Sequence, residues 1–355
     1  MTRKLAAALA LVLACSSTPS PFTVHFAAGQ RAQTAGRHAE AAQAYDEAAR
    51  SPSAPRRDRQ YSAYLSAMEF VAAGDLAQGA ARLDAITQAG GEMAAQARYD
   101  VILLHMRTNE PEVPAELDDL VRRWPNHGVA YPALQARLRI ARDKGGEAAV
   151  LGYLYALAPA VAKTDSAERV AYDIAESLVA MGRTQEARDA FVDVATKYPY
   201  PKGVYFDDSL YRASELDEQL GKPDVAVADL RRMLAELESS TLPGTYIRPR
   251  FPDAGWRIAT LLRDKLGDKQ KAAAAFADYV DMFPNDVRRD DALWQQAKLL
   301  RDLGDQDGSC SALSRLVRIA PDSRYVPCAT LRCPTLSRPD KSEAPKTCHG
   351  YVDRP

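Results

Sequence analysis

The stretch from Glu168 to Pro199 constrains the fold of this chain more than any other. It reads ERVAYDIAESLVAMGRTQEARDAFVDVATKYP. Its first half has apolar residues at intervals of three and four, which share one face of a helix: Ala171, Ile174, Ala175 and Leu178. Gly182 predicts the end of that helix, because glycine adopts the left-handed conformation of a helix terminus without steric cost. The stretch therefore predicts two helices joined by a tight turn.

The second half of the stretch repeats the apolar spacing with Ala187, Phe191 and Val194, and Pro199 closes it. A small residue five positions after the glycine allows the two helices to approach closely, and the aromatic residue fills the remaining gap. Arg188 is expected to face solvent. This arrangement resembles the tetratricopeptide repeat, a helix-turn-helix unit of about 34 residues. Ala171 and Leu178 depart from the family's aromatic positions, whereas the second half fits.

About eight such units are predicted over residues 22–323, with an irregular insertion at 238–252. The insertion, ESSTLPGTYIRPRFP, contains three prolines, so a continuous helix is not expected there. The other units have turn residues at similar spacing: Gly36, Gly74, Asn109, Gly145, Gly182, Gly221, Gly267 and Gly304. The resemblance implies an all-α, right-handed superhelical solenoid of stacked helix pairs, held together by packing between neighbouring repeats.

In that family, the first helices line a groove that binds extended peptides or partner helices. Transferred to this chain, one position per first helix gives an aromatic series with one arginine: Phe26, Tyr64, Tyr172, Tyr211, Arg257 and Trp294. Charged residues follow one turn later, namely Glu176, Glu215 and Lys298. The resemblance implies that these side chains form the partner-binding surface. The alternative is that the aromatic rings pack between repeats, and the sequence leaves both interpretations open.

Charge and motifs exclude several classes of function. The 46 basic and 47 acidic side chains nearly balance, so nucleic acid is not an expected partner. The sequence has no motif for a catalytic nucleophile, a metalloprotease or a phosphate-binding loop. We therefore expect no enzymatic activity, no small-molecule substrate and no cofactor.

The N-terminus predicts export. Arg3 and Lys4 precede an apolar run that is too short to span a bilayer, so residues 1–14 are interpreted as a signal peptide. The run ends in VLAC, which resembles the lipobox of bacterial lipoproteins and implies lipid modification of Cys15, followed by a short tether through residue 21. Ser16 favours the outer membrane, with the protein facing the periplasm. The alternative is an ordinary secretory signal and a soluble periplasmic or secreted protein.

The C-terminal segment, residues 324–355, is rich in proline and is expected to be irregular. Besides Cys15, the chain has four cysteines, Cys310, Cys328, Cys333 and Cys348, which favour two disulfides in an oxidising compartment. Three pairings are possible. We prefer Cys310 with Cys328 and Cys333 with Cys348, because the first pair would clamp the tail over the terminal helix. The alternative is a metal-binding or redox-active tail that uses these cysteines and His349.

The end of the array, DDALWQQAKLLRDLGD and APDSRYVP, is similar to the repeats of envelope-assembly lipoproteins. That resemblance implies a membrane-anchored, exported scaffold that binds protein or peptide partners in a bacterial cell-envelope assembly. The contrasting interpretation is a repeat scaffold that carries a metal-binding or redox-active tail.

Overall fold

The computed structural model describes residues 19–236, 250–336, 348 and 352. Within these residues the chain is all-α and contains no β-strand. It divides into two compact units, one extending to Ile140 and the other beginning at Ala141. The predicted signal peptide, Cys15 and most of the 238–252 insertion lie outside the described residues.

The first unit is built from short helices, each of which packs against the next along the chain. They are α1 (Pro21–Thr34), α2 (His38–Arg50), α3 (Arg56–Ala72), α4 (Leu76–Ala89), α5 (Ala94–Thr108) and α6 (Val113–Arg123). The segment α7 (Ala130–Val161) begins in this unit and continues past its last residue, Ile140. Non-helical backbone at Gly145 and Gly146 breaks it into two helices. The predicted turn near Gly145 therefore lies at this break.

The second unit continues the same packing of consecutive helices. Its helices are α8 (Ser166–Ala180), α9 (Thr184–Lys197), α10 (Phe206–Gln219), α11 (Pro223–Leu234), α12 (Arg250–Asp264), α13 (Lys269–Met282), α14 (Arg289–Asp302), α15 (Gln306–Ile319) and α16 (Val326–Arg332). The helix α10 also contacts α12, so the first helices of these successive repeats lie side by side. That contact positions the face described below.

The turn between α8 and α9 shows why the sequence pattern encodes a helix pair. Gly182 has a φ of 71°, and the amide of Arg183 donates to the Leu178 carbonyl at 3.0 Å. The Gly182 amide donates to the Val179 carbonyl at 2.9 Å. These two bonds satisfy carbonyls that the helix end would otherwise leave without a partner. Asn109, at φ 56°, takes the same role after α5, because a short polar side chain tolerates this conformation.

The core follows from the two positions that come after six of the eight predicted turns. Five residues after the turn residue, a small side chain is buried between the helices, at Ala41, Gly79, Ala187, Ala226, Ala272 and Ser309. Four residues further on, a large apolar side chain is fully buried, at Tyr45, Leu83, Phe191, Leu230, Phe276 and Leu313. This small-then-large pattern sets how closely each helix pair packs, and it confirms the predicted register.

Two stretches predicted to be irregular contain helix. Arg250, Phe251 and Pro252, the end of the predicted insertion, form the first turn of α12. In the tail, Pro327 lies in the first turn of α16. Proline is tolerated in a first helical turn because its missing amide proton has no partner there in any case. The tail is therefore not irregular throughout.

The preferred disulfide pairing is wrong. Cys310 bonds with Cys333, and their Cα atoms lie 5.5 Å apart. The short helix α16 explains the change, because it carries the chain past the buried Cys328 and returns Cys333 to the surface of α15. The bond still ties the tail to the last repeat, which is the role predicted for a bond between Cys310 and Cys328.

None of the helices in the described ranges combines the length and the apolar character needed to cross a membrane.

Candidate functional site

The candidate site is the face that the first helices α8, α10 and α12 share, which we call the first-helix face. Tyr172 on α8 is half-buried here. Its ring stacks on Tyr205 with centroids 4.5 Å apart and meets Phe191 edge-on at 5.4 Å. Its hydroxyl donates a hydrogen bond to the Asp208 carboxylate on α10. Tyr172 therefore joins two successive first helices and is not a freely exposed ring.

The predicted acceptors, Glu176 and Glu215, are bound by an arginine that the sequence analysis did not select. Arg212 on α10 contacts Glu176 through two nitrogens, with Nε to Oε1 at 3.1 Å and Nη2 to Oε2 at 3.2 Å. Its Nη1 lies 3.4 Å from Oε2 of Glu215. Paired Arg–carboxylate contacts of this kind fix orientation as well as charge. The two carboxylates are held in place rather than left free for a basic partner.

Tyr211 lies further along the same face, between two arginines. The guanidinium of Arg250 is 4.8 Å from the ring centroid and that of Arg257 is 5.4 Å away. Arg250 also pairs with Asp208 at 2.6 Å, and Arg257 pairs with Glu218 at 2.5 Å. Cations over an aromatic face are stabilised by the ring quadrupole. The resulting network is continuous from α8 to α12.

Burial and charge fix the protonation of this face. Burial and the bond to Asp208 raise the pKa of the Tyr172 phenol, so it stays neutral and donates. Burial acts to lower the pKa of Arg212, but the neighbouring carboxylates Glu176 and Glu215 outweigh it and the pKa is raised. The pKa of Arg257 is raised in the same way, because Glu218 outweighs the effect of burial. The face therefore presents charged guanidiniums at Arg212 and Arg257 and a neutral phenol at Tyr172.

The structure does not place Trp294 on this surface. Its side chain is 1% exposed and stacks on Tyr325 with centroids 4.8 Å apart. Arg332 covers the ring from 4.4 Å. The prediction that Trp294 contacts a partner is wrong, because the segment after the last repeat covers the indole. Lys298, one turn further along α14, is half-buried.

The two aromatic residues predicted in the first unit also make packing contacts. Tyr64 on α3 donates through its hydroxyl to Asp100 on α5 at 2.7 Å. Phe26 lies against Phe22, Tyr45 and Tyr61 with centroid separations of 5.5, 5.6 and 6.3 Å. Both side chains remain half-buried. Here the packing interpretation describes the contacts better than a free aromatic surface.

Sequence reasoning missed four members of the face: Asp208, Arg212, Glu218 and Arg250. The separation of 36 residues was the available signal. Tyr172 and Asp208 are 36 residues apart, as are Glu176 and Arg212. A search for complementary polar residues one repeat apart would therefore have found Asp208 and Arg212, two of the four. Arg250 lies within the predicted insertion, so its spacing gives no such signal.

A metal site finds no support within the described residues, where no group of three or more His, Cys, Asp or Glu side chains could hold a metal ion. The alternative site would need Cys333, whose sulfur is bonded to Cys310. His349, its predicted nitrogen ligand, lies outside the described residues.

The profile of the tetratricopeptide repeat matches three segments of this chain, residues 169–199, 253–286 and 291–323. These segments coincide with the pairs α8–α9, α12–α13 and α14–α15. The chain contains tetratricopeptide repeats. The described helices, buried small residues and turn geometry are those of this family, and the two departures at Ala171 and Leu178 do not disturb the helix pair. Tetratricopeptide repeats act as scaffolds for contacts between proteins.

Solved structures of tetratricopeptide-repeat proteins resemble this chain weakly. YrrB, described as having an unusual peptide-binding site, is 15% identical over 62% of this chain and 98% of its own, with a TM-score of 0.34. PilF of Pseudomonas aeruginosa is 18% identical over 64% and 93%, with a TM-score of 0.35. PilW, a type IV pilus biogenesis factor, is 17% identical over 66% and 96%, with a TM-score of 0.33. At TM-scores this low, the likenesses carry no argument about function. No curated protein sequence matches the chain.

Proposed function

We propose that this chain is an exported, membrane-anchored tetratricopeptide-repeat scaffold that binds a protein partner in a bacterial cell-envelope assembly. The repeat family supports the scaffold role. The apolar run after Arg3 and Lys4 and the VLAC sequence that ends at Cys15 support export and lipid anchoring. Several acyl chains on one cysteine hold a protein at a membrane, because each buried CH2 contributes about 0.8 kcal/mol.

The first-helix face carries the binding role in this proposal. Tyr211, Arg212 and Arg257 are half-buried, so part of each remains accessible. Tyrosine and arginine are the residue types that dominate binding energy at protein interfaces. Each of these side chains is held by contacts to the neighbouring helix. A partner would therefore meet side chains that lose little further conformational freedom on binding.

The face also restricts the kind of partner. Four carboxylates, Glu176, Asp208, Glu215 and Glu218, alternate with the guanidiniums of Arg212, Arg250 and Arg257. A partner segment with mixed polar groups can exchange hydrogen bonds with both charges. A purely basic segment would have to compete with the protein's own arginines. We therefore propose an extended peptide segment of mixed polarity.

Crosslinking in cell envelopes tests this role. Glu176→Gln with Glu215→Gln removes both carboxylates that Arg212 holds and leaves the side-chain volumes nearly unchanged. The matched control is Glu186→Gln with Asp193→Asn on α9, whose carboxylates are exposed. We expect the first variant to lose a crosslinked partner that the wild type and the control both retain. Identical crosslinked species in all three proteins, at equal melting temperature, would contradict the proposal.

A further inference from the structure

A second surface in the first unit has a different chemistry from the first-helix face. The helices α2, α3 and α4 enclose a pocket of about 420 Å³. Its apolar lining consists of four alanines and Ile86, and its polar lining is Asp46, Arg56, Arg59, Gln60 and Arg82. A volume of this size is in the range of small-ligand and side-chain sites.

The charges around the pocket are unbalanced. Arg82 pairs with Asp46 at 2.6 Å, so these two groups neutralise each other. The guanidiniums of Arg56 and Arg59 have no hydrogen bond or ion pair within the part of the chain that the structure describes. Arg57, which lies between them in sequence, instead pairs with Glu92 at 2.9 Å and does not line the pocket. The pocket therefore carries two unneutralised guanidiniums on a chain whose net charge is −1.

The position of these arginines in α3 strengthens the preference for an anion. Both lie in the first turn of the helix, which begins at Arg56. The N-terminal end of a helix carries a partial positive charge, so cations there are unfavourable. An anionic group placed against both guanidiniums would relieve that repulsion and would gain charge-assisted hydrogen bonds.

The remaining polar group favours a peptide over a fatty acid. Gln60 donates through Nε2 to the Gly90 carbonyl at 2.8 Å, which leaves its side-chain oxygen as an acceptor at the pocket. A peptide backbone supplies an N–H donor for that oxygen, whereas a fatty acid with an ionised carboxylate supplies none. The apolar lining accepts a side chain next to the carboxylate.

We propose that this pocket binds an acidic peptide segment in which an apolar side chain lies next to a Glu or Asp. The apolar side chain enters between α2, α3 and α4. The carboxylate pairs with Arg56 and Arg59. The site is separate from the first-helix face, and it holds whether or not that face binds its own partner.

The probe is a library of N-acetylated, C-amidated hexapeptides with Glu at two positions and Ala, Val, Leu or Phe elsewhere. A matched library has Gln in place of Glu. Full-length protein should retain the Glu peptides selectively, as measured by affinity selection and mass spectrometry. Arg56→Gln with Arg59→Gln should weaken the best peptide by about tenfold or more in fluorescence anisotropy, the scale of lost charged contacts in an interface. Arg57→Gln, the control from the same turn, should leave its affinity unchanged.

A second variant separates the pocket from surface charge. Ala85 lines the pocket and is exposed, so Ala85→Leu fills the cavity without disturbing the core. It should weaken the same peptide at an unchanged melting temperature. Equal retention of Glu and Gln peptides would overturn the proposal, as would full binding by the double arginine variant. A third outcome would also overturn the proposal. The protein would float with phosphatidylglycerol vesicles, the double variant Arg56→Gln with Arg59→Gln would not, and no acidic peptide would bind. That result would assign the pocket to a lipid. If Glu176→Gln with Glu215→Gln left the crosslinked partner of the first-helix face unchanged, only the proposal for that face would fail.

Discussion

The Tyr172 hydroxyl donates to the Asp208 carboxylate, 36 residues further along the chain. Tyr64 and Asp100 repeat that relationship in the first unit, at the same separation and at 2.7 Å. In both pairs a phenol on one first helix reaches a carboxylate on the next. These bonds therefore fix how successive repeats pack, in addition to the apolar contacts between them.

Removing this hydroxyl should destabilise the second unit. Tyr172→Phe keeps the ring contacts with Tyr205 and Phe191 and deletes only the bond to Asp208. A hydrogen bond to a charged acceptor contributes about 1.5–3 kcal/mol, so the free energy of unfolding should fall by about that amount. Urea unfolding measures it. Tyr155→Phe is the control, since Tyr155 is exposed. An equal effect of both substitutions would show that the bond to Asp208 contributes nothing specific.

Enlarging the small buried position should also destabilise the helix pair. Ala187 is fully buried against Phe191 and Leu178 in one cluster. Ala187→Leu adds volume to a closed contact and should cost about 1–3 kcal/mol through displaced neighbours. Ala180→Leu, at an exposed position on α8, should change stability little. An unchanged melting temperature of Ala187→Leu would contradict the close packing of α8 and α9.

Two buried carboxylates predict a specific dependence of stability on pH. Asp217 and Asp229 both pair with Arg188, at 3.0 Å each. Burial raises the pKa of both carboxyls, and Arg188 offsets this only in part. The folded state therefore binds the proton more tightly than the unfolded state. The stability that comes from this tighter proton binding is complete below the carboxyl pKa of the unfolded state, about 3.9. It is lost as pH rises through the higher pKa of the folded state.

Asp229→Asn removes one of these titrating groups and leaves Asp217 to pair with Arg188. The variant should resemble the wild type at about pH 4 and gain stability relative to it as pH rises toward 7. Urea unfolding at both pH values measures the difference. Asp193→Asn, at an exposed position, is the control for the substitution itself. A difference that stays constant or shrinks with rising pH would mean that Asp229 is charged in the folded protein throughout this range.

Cys15→Ser tests the proposed anchoring through a lipid on Cys15. The variant cannot accept the lipid, so it should leave the membrane pellet and appear in the soluble periplasmic fraction. The wild type should stay in the pellet after a high-salt wash and be released by detergent. Retention of Cys15→Ser in the pellet after the same wash would show that protein contacts, and not a lipid, hold the chain there.

The helix pairs were predictable from sequence because local rules determine them. Three residues specify the turn and the packing of a helix pair. They are a residue able to adopt a positive φ, a small residue five positions later and a large apolar residue four positions after that. Asn109 meets only the first part of this rule, since it adopts φ 56° at its turn but is followed by Pro114 and Asp118 at the other two positions. The positions of Ala187 and Phe191 follow from the same rule.

The errors arose where contacts are non-local. Arg188 was expected to be exposed, but its side chain is only 18% exposed, because α10 and α11 provide Asp217 and Asp229. Trp294 is covered by Tyr325 from the segment after the last repeat. The pairing of Cys310 with Cys333 depends on the short helix α16, which the prolines of the tail concealed. None of these contacts can be read from the periodicity of one helix.

The candidate site was predictable in part. Tyr172, Tyr211, Glu176, Glu215 and Arg257 were placed correctly on first helices, and the structure brings them into one network. Whether that network binds a partner stays a prediction. The alternative of inter-repeat packing already accounts for the bond between Tyr172 and Asp208. Tyr211 separates partner binding from inter-repeat packing, because its ring makes cation–π contacts with the half-buried Arg250 and Arg257.

The most direct test of the scaffold role measures stability and partner affinity on the same variant, Tyr211→Leu. Leucine retains apolar packing but removes the ring that lies between Arg250 and Arg257. With the partner identified by crosslinking, we expect its affinity to fall by about 2 kcal/mol or more, as for an aromatic hot spot. The melting temperature should change little. A lower melting temperature with unchanged affinity would contradict the account and assign Tyr211 to packing between repeats.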